Sequence, residues 1–348
     1  MIKLVFVDVR RLWMAEFIVG KTANEVWIKA ANILLAQKNT VDARTGETFE
    51  ILHSFISIEE PRQKWVYDRI PPLSIGFALA ELVWIMNGEN RSDVINFWNP
   101  KLKRFAGKGS FYHGAYGKRI RSHYGFDQLE RAYYALQNVP QSRQVVIQIY
   151  DTKVDFPMEN GQPRDEDIPC NICSMLKIRQ GRLEWSQIMR SNDVLLGMPY
   201  NFVQFTGLQE ILAGWLGLDV GSYNHYCDSL HLYNRDVSKI GIGHGTQLDN
   251  ADSLSICKSE SEKIFKEIYE RMKFMAADNN IEKEIYSLAQ LKSEFDAYNN
   301  IMLVIASYVA QKMNFHDLVK ELIKECSNSA YVSIWEKWYE RNKSVAAK

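Results

Sequence analysis

The sequence predicts an α+β domain over residues 1–250 followed by a helical extension over residues 251–348. Three observations predict it. Stretches with the two-residue alternation of strands and stretches with helical spacing are interspersed up to about residue 250. The run LSIGFALAELVWIMNG is apolar on nearly every side, which marks a helix buried inside a domain. Beyond about Ser255, charged heptad-like stretches such as SESEKIFKEIYERMKFM and FHDLVKELIKEC dominate, with no strand pattern.

The elements follow in order. The opening MIKLVFVDVRRLW carries an apolar run too short for a signal sequence or a membrane span and is read as an edge strand. In TANEVWIKAANILLAQ, Val26, Ala30, Ile33 and Leu34 recur at helical spacing behind a Thr22 or Asn24 cap, giving an amphipathic helix. Turn chemistry at Arg44-Thr45-Gly46 precedes the alternation of Phe49, Ile51, Phe55 and Ile58, which suits strands. After Pro71-Pro72 comes the buried helix, closed by Gly88 and carrying one charge, Glu81. From Asp127 the chain reads as a helix, then the strand SRQVVIQIYD, an acidic irregular loop from Lys153 to Asp167, and a strand pair around Met175 to Met189 turning at Gln180-Gly181-Arg182. FVQFTGLQEILAGWLGL returns to helix, and HLYNRD follows a Gly- and Tyr-rich stretch. No internal repeat, low-complexity tract or Walker-type phosphate loop is present.

Composition narrows the function. With 348 residues, 46% of them hydrophobic, the chain can bury a large core. Lys plus Arg and Asp plus Glu number 42 each, so there is no basic excess to hold a nucleic-acid polymer or an anionic membrane. An anionic partner must be small and locally held. Five cysteines, Cys170, Cys173, Cys227, Cys257 and Cys326, are odd in number and scattered, unlike a secreted disulfide framework. A reducing compartment is expected, hence a soluble cytoplasmic protein.

Polar groups in apolar surroundings are densest in DIPCNICS and MRSNDVLLGMPYN. Cys170 follows a proline at a strand edge, about 20 residues before Arg190, which strand pairing could bring beside it; a guanidinium there favours thiolate, the nucleophilic form. The ordinary alternative makes Cys170 a small buried residue and Arg190 a surface charge. Cys170 and Cys173 also spell C-x-x-C, a zinc or redox spacing, yet no second pair or His-x-x-x-His lies at metal spacing, and no metal is expected. Three residues apart in a strand, the two would face opposite sides.

Several motifs together resemble one family. RSNDVLLGMPYN resembles the thymidylate synthase signature of Arg-Ser-x-Asp-Val followed by Leu-Gly-x-Pro-Phe-Asn, and Pro169-Cys170 resembles its nucleophile motif. DSLHLYNRD is similar to its nucleotide-binding His-x-Tyr segment, AELVWIMNGEN to its Glu-Leu-Leu-Trp segment, HGAYGKRIR to its Tyr-Gly-x-x-Trp-Arg, and VPQSRQVVI to its Asp-Ser-Arg-Arg. The motifs keep the family's order over about residues 30 to 236. The resemblance implies a large mixed, bent sheet packed by helices, dimerising through the sheet face.

It also implies roles. Carbon 5 of a pyrimidine becomes nucleophilic once a thiolate adds at carbon 6, and Cys170 matches that nucleophile. The implied cofactor is 5,10-methylenetetrahydrofolate and the implied substrate a pyrimidine nucleoside monophosphate. Arg190, Ser191 and Arg44 match phosphate ligands, and Arg143 matches an arginine reaching the neighbouring site of a homodimer. Asn201 matches the amide that reads the base edge, and His231 and Tyr233 the ribose ligands. Glu81 matches the buried acid of a proton relay and Tyr116 the group near the carbon 5 proton. Asp193 matches the acid that contacts the pterin, although an N-capping Asp would look the same, and Trp98 an aromatic over the transferred carbon.

Four departures bear on the product. Asn171 stands where the synthases have histidine and Asn192 where they have cysteine, and Met-Arg-Ser-Asn-Asp-Val resembles phage-type deoxycytidylate hydroxymethylases. Gln144 replaces the second arginine of a pair, and the chain ends in SVAAK without the family's Pro-Val-Ala-Val tail that shields hydride transfer from water. Asn201, where cytosine-specific enzymes carry Asp, favours a uracil base. The expectation is therefore hydroxymethylation of a uridylate-type nucleotide, with ordinary thymidylate synthesis and a catalytically silent nucleotide-binding relative as alternatives.

Overall fold

A computed structural model describes residues 15–43, 46–245, 248–277 and 281–346. The expected opening strand at residues 1–14 and Arg44 lie outside the described residues. In chain order the elements are β1 (Glu16–Gly20), α1 (Ala23–Leu35), β2 (Val41–Ala43), β3 (Gly46–Ile58), β4 (Arg69–Ile70), α2 (Ile75–Met86), α3 (Ser92–Trp98), α4 (Tyr116–Arg121), α5 (Gln128–Asn138), β5 (Val146–Gln148), α6 (Thr152–Asp155), β6 (Asn171–Arg179), β7 (Arg182–Met189), β8 (Asn192–Asp193), α7 (Met198–Leu216), β9 (Asp219–Tyr233) and β10 (Gly241–Ile242). Five helices complete the chain: α8 (Lys258–Ala276), α9 (Glu282–Ala289), α10 (Asp296–Lys312), α11 (His316–Glu325) and α12 (Ser329–Ala346). The fold is α+β, as expected.

Local chemistry sets the element ends. Thr22 caps α1 by accepting from the Glu25 N–H, and Asp127 caps α5 by accepting from the Glu130 N–H, each satisfying a first-turn donor that the helix itself cannot. Gly217, at φ +65°, ends α7 in the left-handed conformation, and Gln180 and Gly181, at φ +53° and +73°, form the turn between β6 and β7.

The large sheet runs β1-β3-β9-β7-β6-β5, with β2 on β3 and β8 on β9; β1/β3, β7/β9 and β8/β9 are parallel and the other pairs antiparallel. One face packs on α1 and α7. α2 lies on α7, and α8, α10 and α12 lie on α2. α2, α7 and α10 are thus sandwiched, which is why they are apolar nearly all round.

The sheet bends at one place. In β3 the inward residues are Ile51 before His53 and Ser54, Ile56 and Ile58 after it; in β9 they are Tyr223, His225 and Cys227 before Asp228 and Leu230 and Leu232 after it. Both strands switch sides while their register holds, at a His53 with φ +58° whose Nδ1 lies 3.1 Å from the Asp228 carboxylate. This switch turns Phe55 to the outer face, so the expected simple alternation of β3 ends at His53. Beyond the bend, β9 carries His231 and Tyr233 toward β8. No helix of the described residues is long and apolar enough to cross a membrane.

Candidate active site

Three pieces of backbone bring the chemistry together. Cys170 sits just before β6, where the strand leaves an irregular loop, and the Arg190 N–H at the end of β7 donates to the Cys170 carbonyl at 2.9 Å. The Arg190 guanidinium donates to the carbonyls of Pro169 (3.1 Å) and Ile168 (3.0 Å), and its Nη2 stands 3.7 Å from Cys170 Sγ. Arg190 thus clamps the loop that presents the sulfur, and a cation at that distance favours the charged form of the thiol. Cys170 and Cys173 are both free thiols, and among the described residues no group of three or more His, Cys, Asp or Glu is placed to hold a metal.

Acid and phenol come from helices. Glu81, in the middle of α2, receives a 2.5 Å hydrogen bond from Gln204 Nε2 of α7. Burial pushes its carboxyl up to about 7, with the Gln204 bond opposing in part. Tyr116 opens α4 and packs on Phe205. Its phenol is raised above the ordinary value by burial first and then by neighbouring Cys170, with Asp167 and Glu81 adding smaller shares and Asn171 opposing. Asp167, on the loop before Cys170, is itself pushed up to about 6 by burial while its Oδ2 accepts from the Gly114 N–H.

The amide and carboxylate of the third group follow β8 and the start of α7. Asn201 Nδ2 donates to Asn192 Oδ1 at 3.0 Å, and Asn192 Nδ2 lies 3.2 Å from Nε2 of buried His225, whose imidazole is pushed down to about 3 by burial. A Cβ on Gly197 would stand 2.8 Å from Asn192 Oδ1, so this amide pair needs glycine there. Asp193 Oδ1 accepts from the Leu195 and Leu196 N–H groups at 2.7 and 2.8 Å, so the capping role and a ligand role share one side chain. Burial raises the Asp193 carboxyl, and nearby His231 opposes. Asp193 pairs with His231 across β8 and β9, Ser191 Oγ lies 3.3 Å from His231 Nδ1, and Tyr233 packs edge-on against His231 at 5.2 Å.

Cys170, Arg190, Tyr116 and Glu81 therefore gather where β6 begins and β7 ends, and Ser191, Asp193, Asn201, His231 and Tyr233 form a second group along β8, the end of β9 and the start of α7. Trp98 and Arg143 stand apart. Trp98 is 1% exposed and stacks on Tyr308 of α10, whose hydroxyl donates to the Trp98 carbonyl at 2.5 Å. Arg143 is exposed in the turn before β5, and its side chain makes no hydrogen bond or ion pair with another described residue.

Two residues of the site escaped the sequence reading. Gln204 holds Glu81, and its place three residues after Asn201 on α7 was the available signal, since it shares that helix face. Gln187 holds Asn171 Oδ1 at 2.7 Å, and it falls on the inward alternation of Leu183, Trp185 and Met189, where a polar residue needs a partner.

A family model described as thymidylate synthase matches residues 69–292. A deoxyuridylate hydroxymethyltransferase of Bacillus phage SP01 is 28% identical over 228 residues, covering 62% of this chain and 58% of that protein. A second protein of that description, from Pseudomonas phage M6, is 30% identical over 166 residues, covering 47% of this chain and 46% of its own length. A thymidylate synthase of Clostridium beijerinckii is 25% identical over 231 residues, 63% of this chain and 80% of that protein. The chain thus spans about half the length of the two phage proteins it matches.

Proposed function

Since this chain belongs to the thymidylate synthase family, we propose that it transfers a one-carbon unit to carbon 5 of a uridylate-type nucleoside monophosphate through a Cys170 adduct at carbon 6. The observation that carries this reading is Cys170 Sγ held 3.7 Å from the Arg190 guanidinium, with Tyr116 and a near-neutral-pKa Glu81 as neighbours. Sulfur addition needs a thiolate, which the Arg190 cation favours, and the proton traffic at carbon 5 needs a group that can hold and release a proton near pH 7, which Glu81 supplies.

Each side chain has a defined task. The Cys170 thiolate pair forms the bond to carbon 6 and the carbon 5–carbon 6 π pair shifts toward the oxygen on carbon 4, giving an enolate that is nucleophilic at carbon 5. Arg190, with Ser191, holds the phosphate; its Nη1 makes no hydrogen bond to another described residue and is left for an anion. Arg44 is a further phosphate ligand in this reading. Asn201 reads the base edge with its carboxamide, which offers donor and acceptor together and whose Nδ2 also donates to Asn192 Oδ1. His231 and Tyr233 take the ribose hydroxyls. Glu81 relays protons and Tyr116 meets the carbon 5 proton.

The residues fit a pterin. Asp193 commits Oδ1 to two backbone N–H groups and leaves Oδ2 for the paired N–H donors of such a ring. Bound 5,10-methylenetetrahydrofolate would supply the carbon at the formaldehyde oxidation level.

We favour hydroxymethylation. Asn171 and Asn192 are the synthase positions that differ, and the two phage relatives carry that activity in their names. A homodimer is part of the same proposal: the outer sheet face carries Phe17 stacked on Phe55 at 5.1 Å and Tyr226 tilted against Phe55 at 4.8 Å, and Arg143 is free to reach a neighbour. Incubating the protein with deoxyuridylate and methylenetetrahydrofolate and weighing the nucleotide tests the reading. One added carbon with one oxygen, and no dihydrofolate, is expected. An added carbon without oxygen, with dihydrofolate, supports thymidylate synthesis, and no change to any pyrimidine nucleotide supports a silent binding protein.

A further inference from the structure

Beside Tyr116 lies a chain of buried amides whose direction is fixed by chemistry. Trp185 Nε1–H can only donate, and it stands 3.1 Å from Gln187 Oε1, which also accepts from Ser174 Oγ at 2.6 Å. On the other side, Gln187 Nε2 reaches the Cys173 carbonyl at 3.2 Å, a group that can only accept, and Asn171 Oδ1 at 2.7 Å. An indole at one end and a backbone carbonyl at the other both demand the same orientation of Gln187. Asn171 must therefore turn its oxygen to Gln187 and its Nδ2 the other way. Ser174, Trp185, Gln187 and Asn171 are all 0% exposed, so water cannot reorder them. Asn171 Nδ2 is buried and has no hydrogen-bond partner among the described residues, and it lies beside the Tyr116 hydroxyl.

We propose that Asn171 is a positioning residue: held by Gln187, it aims N–H donors at the Tyr116 oxygen and so fixes the Tyr116 hydroxyl as a donor pointing into the site. An oxygen that faces an amide N–H places its own proton away from that amide. The same N–H stabilises negative charge on the phenol oxygen as its proton passes to the Glu81 carboxylate, leaving an oxygen that can take the carbon 5 proton. Donor chains of this kind rigidify a site because no member can flip alone. The inference rests on the function proposed above and adds a task for Asn171.

A double-mutant cycle on tritium release from 5-tritiated deoxyuridylate tests it. N171L is expected to lower kcat about tenfold, the worth of one buried hydrogen bond, while KM stays within about twofold. In a Y116F background N171L is expected to change kcat no further, since the group it acts through is gone. N171D keeps the shape but replaces the donor with an acceptor, and is expected to lose at least as much as N171L; it also serves if N171L does not fold. Additive losses in the cycle, or N171D turning over at the natural rate, overturn the inference alone. Absence of tritium release from the natural protein overturns the proposed function and this inference with it.

Discussion

Glu81 shows how a single side chain couples stability to function. The folded protein holds the Glu81 proton up to about pH 7, while the unfolded chain releases it near the ordinary carboxyl value of 4.5. A raised carboxyl pKa gives stability that is fully present below 4.5 and lost as pH rises through about 7, worth ~3 kcal/mol over that window. E81Q removes the titration, so its denaturant midpoint is predicted to stay flatter between about pH 5 and about pH 7 than that of the natural protein. Equal slopes would show that Glu81 is not the buried acid described here. The same substitution is predicted to lower kcat by about a hundredfold, because glutamine accepts the Gln204 bond but cannot relay a proton. Much of this residue chemistry was legible in the sequence, where Glu81 is the lone charge in an apolar run and Cys170 follows Pro169. The amide relay was not, because direction in a hydrogen-bond chain depends on partners far apart in sequence, such as Gln187 and Asn171.

Elements in this fold are held by close approach as much as by pattern. α2 crosses α10 at Gly76, where an added Cβ would stand 2.8 Å from Cβ and Cδ2 of Tyr308. G76A is therefore predicted to destabilise the protein by about 1–3 kcal/mol through overpacking, although alanine is the better helix former. A urea titration in which G76A is as stable as the natural protein would contradict that contact. Helices α1 and the buried α2 were readable to within about two residues, as were the start of α5 after Asp127 and the turn at Gln180-Gly181. The 15-residue β9 was not read as one strand, since Asn224, Asp228 and Ser229 interrupt its apolar alternation and the side switch at His53 and Asp228 breaks its period. That strand is central to the sheet, and without it the pairing of Asp193 with His231 has no basis in the sequence alone.

At the scale of the molecule, an apolar outer sheet face remains. One row across it reads Phe17, Phe55, Tyr226, Ile188 and Cys173, with Phe17 72% and Phe55 42% exposed. A face of this kind marks an interaction surface, and two copies meeting there would bury it symmetrically. F55K is predicted to shift the protein from dimer to monomer in size-exclusion chromatography with light scattering, and a natural protein that is already monomeric at assay concentration would contradict the proposal. On the opposite side, α8, α10 and α12 pack on α2, and Tyr308 of α10 donates to the Trp98 carbonyl, so these helices back the site's supporting helix.

The account stands on a covalent bond between Cys170 and carbon 6 of the nucleotide. Fluorine at carbon 5 cannot leave as a cation, so 5-fluorodeoxyuridylate with methylenetetrahydrofolate should stall the reaction with the nucleotide still attached. Mass spectrometry of the digested protein is predicted to find the nucleotide on the peptide bearing Cys170 and to find none in C170S. Recovery of only unmodified peptide, or a nucleotide on Cys173 or Cys257, would contradict it.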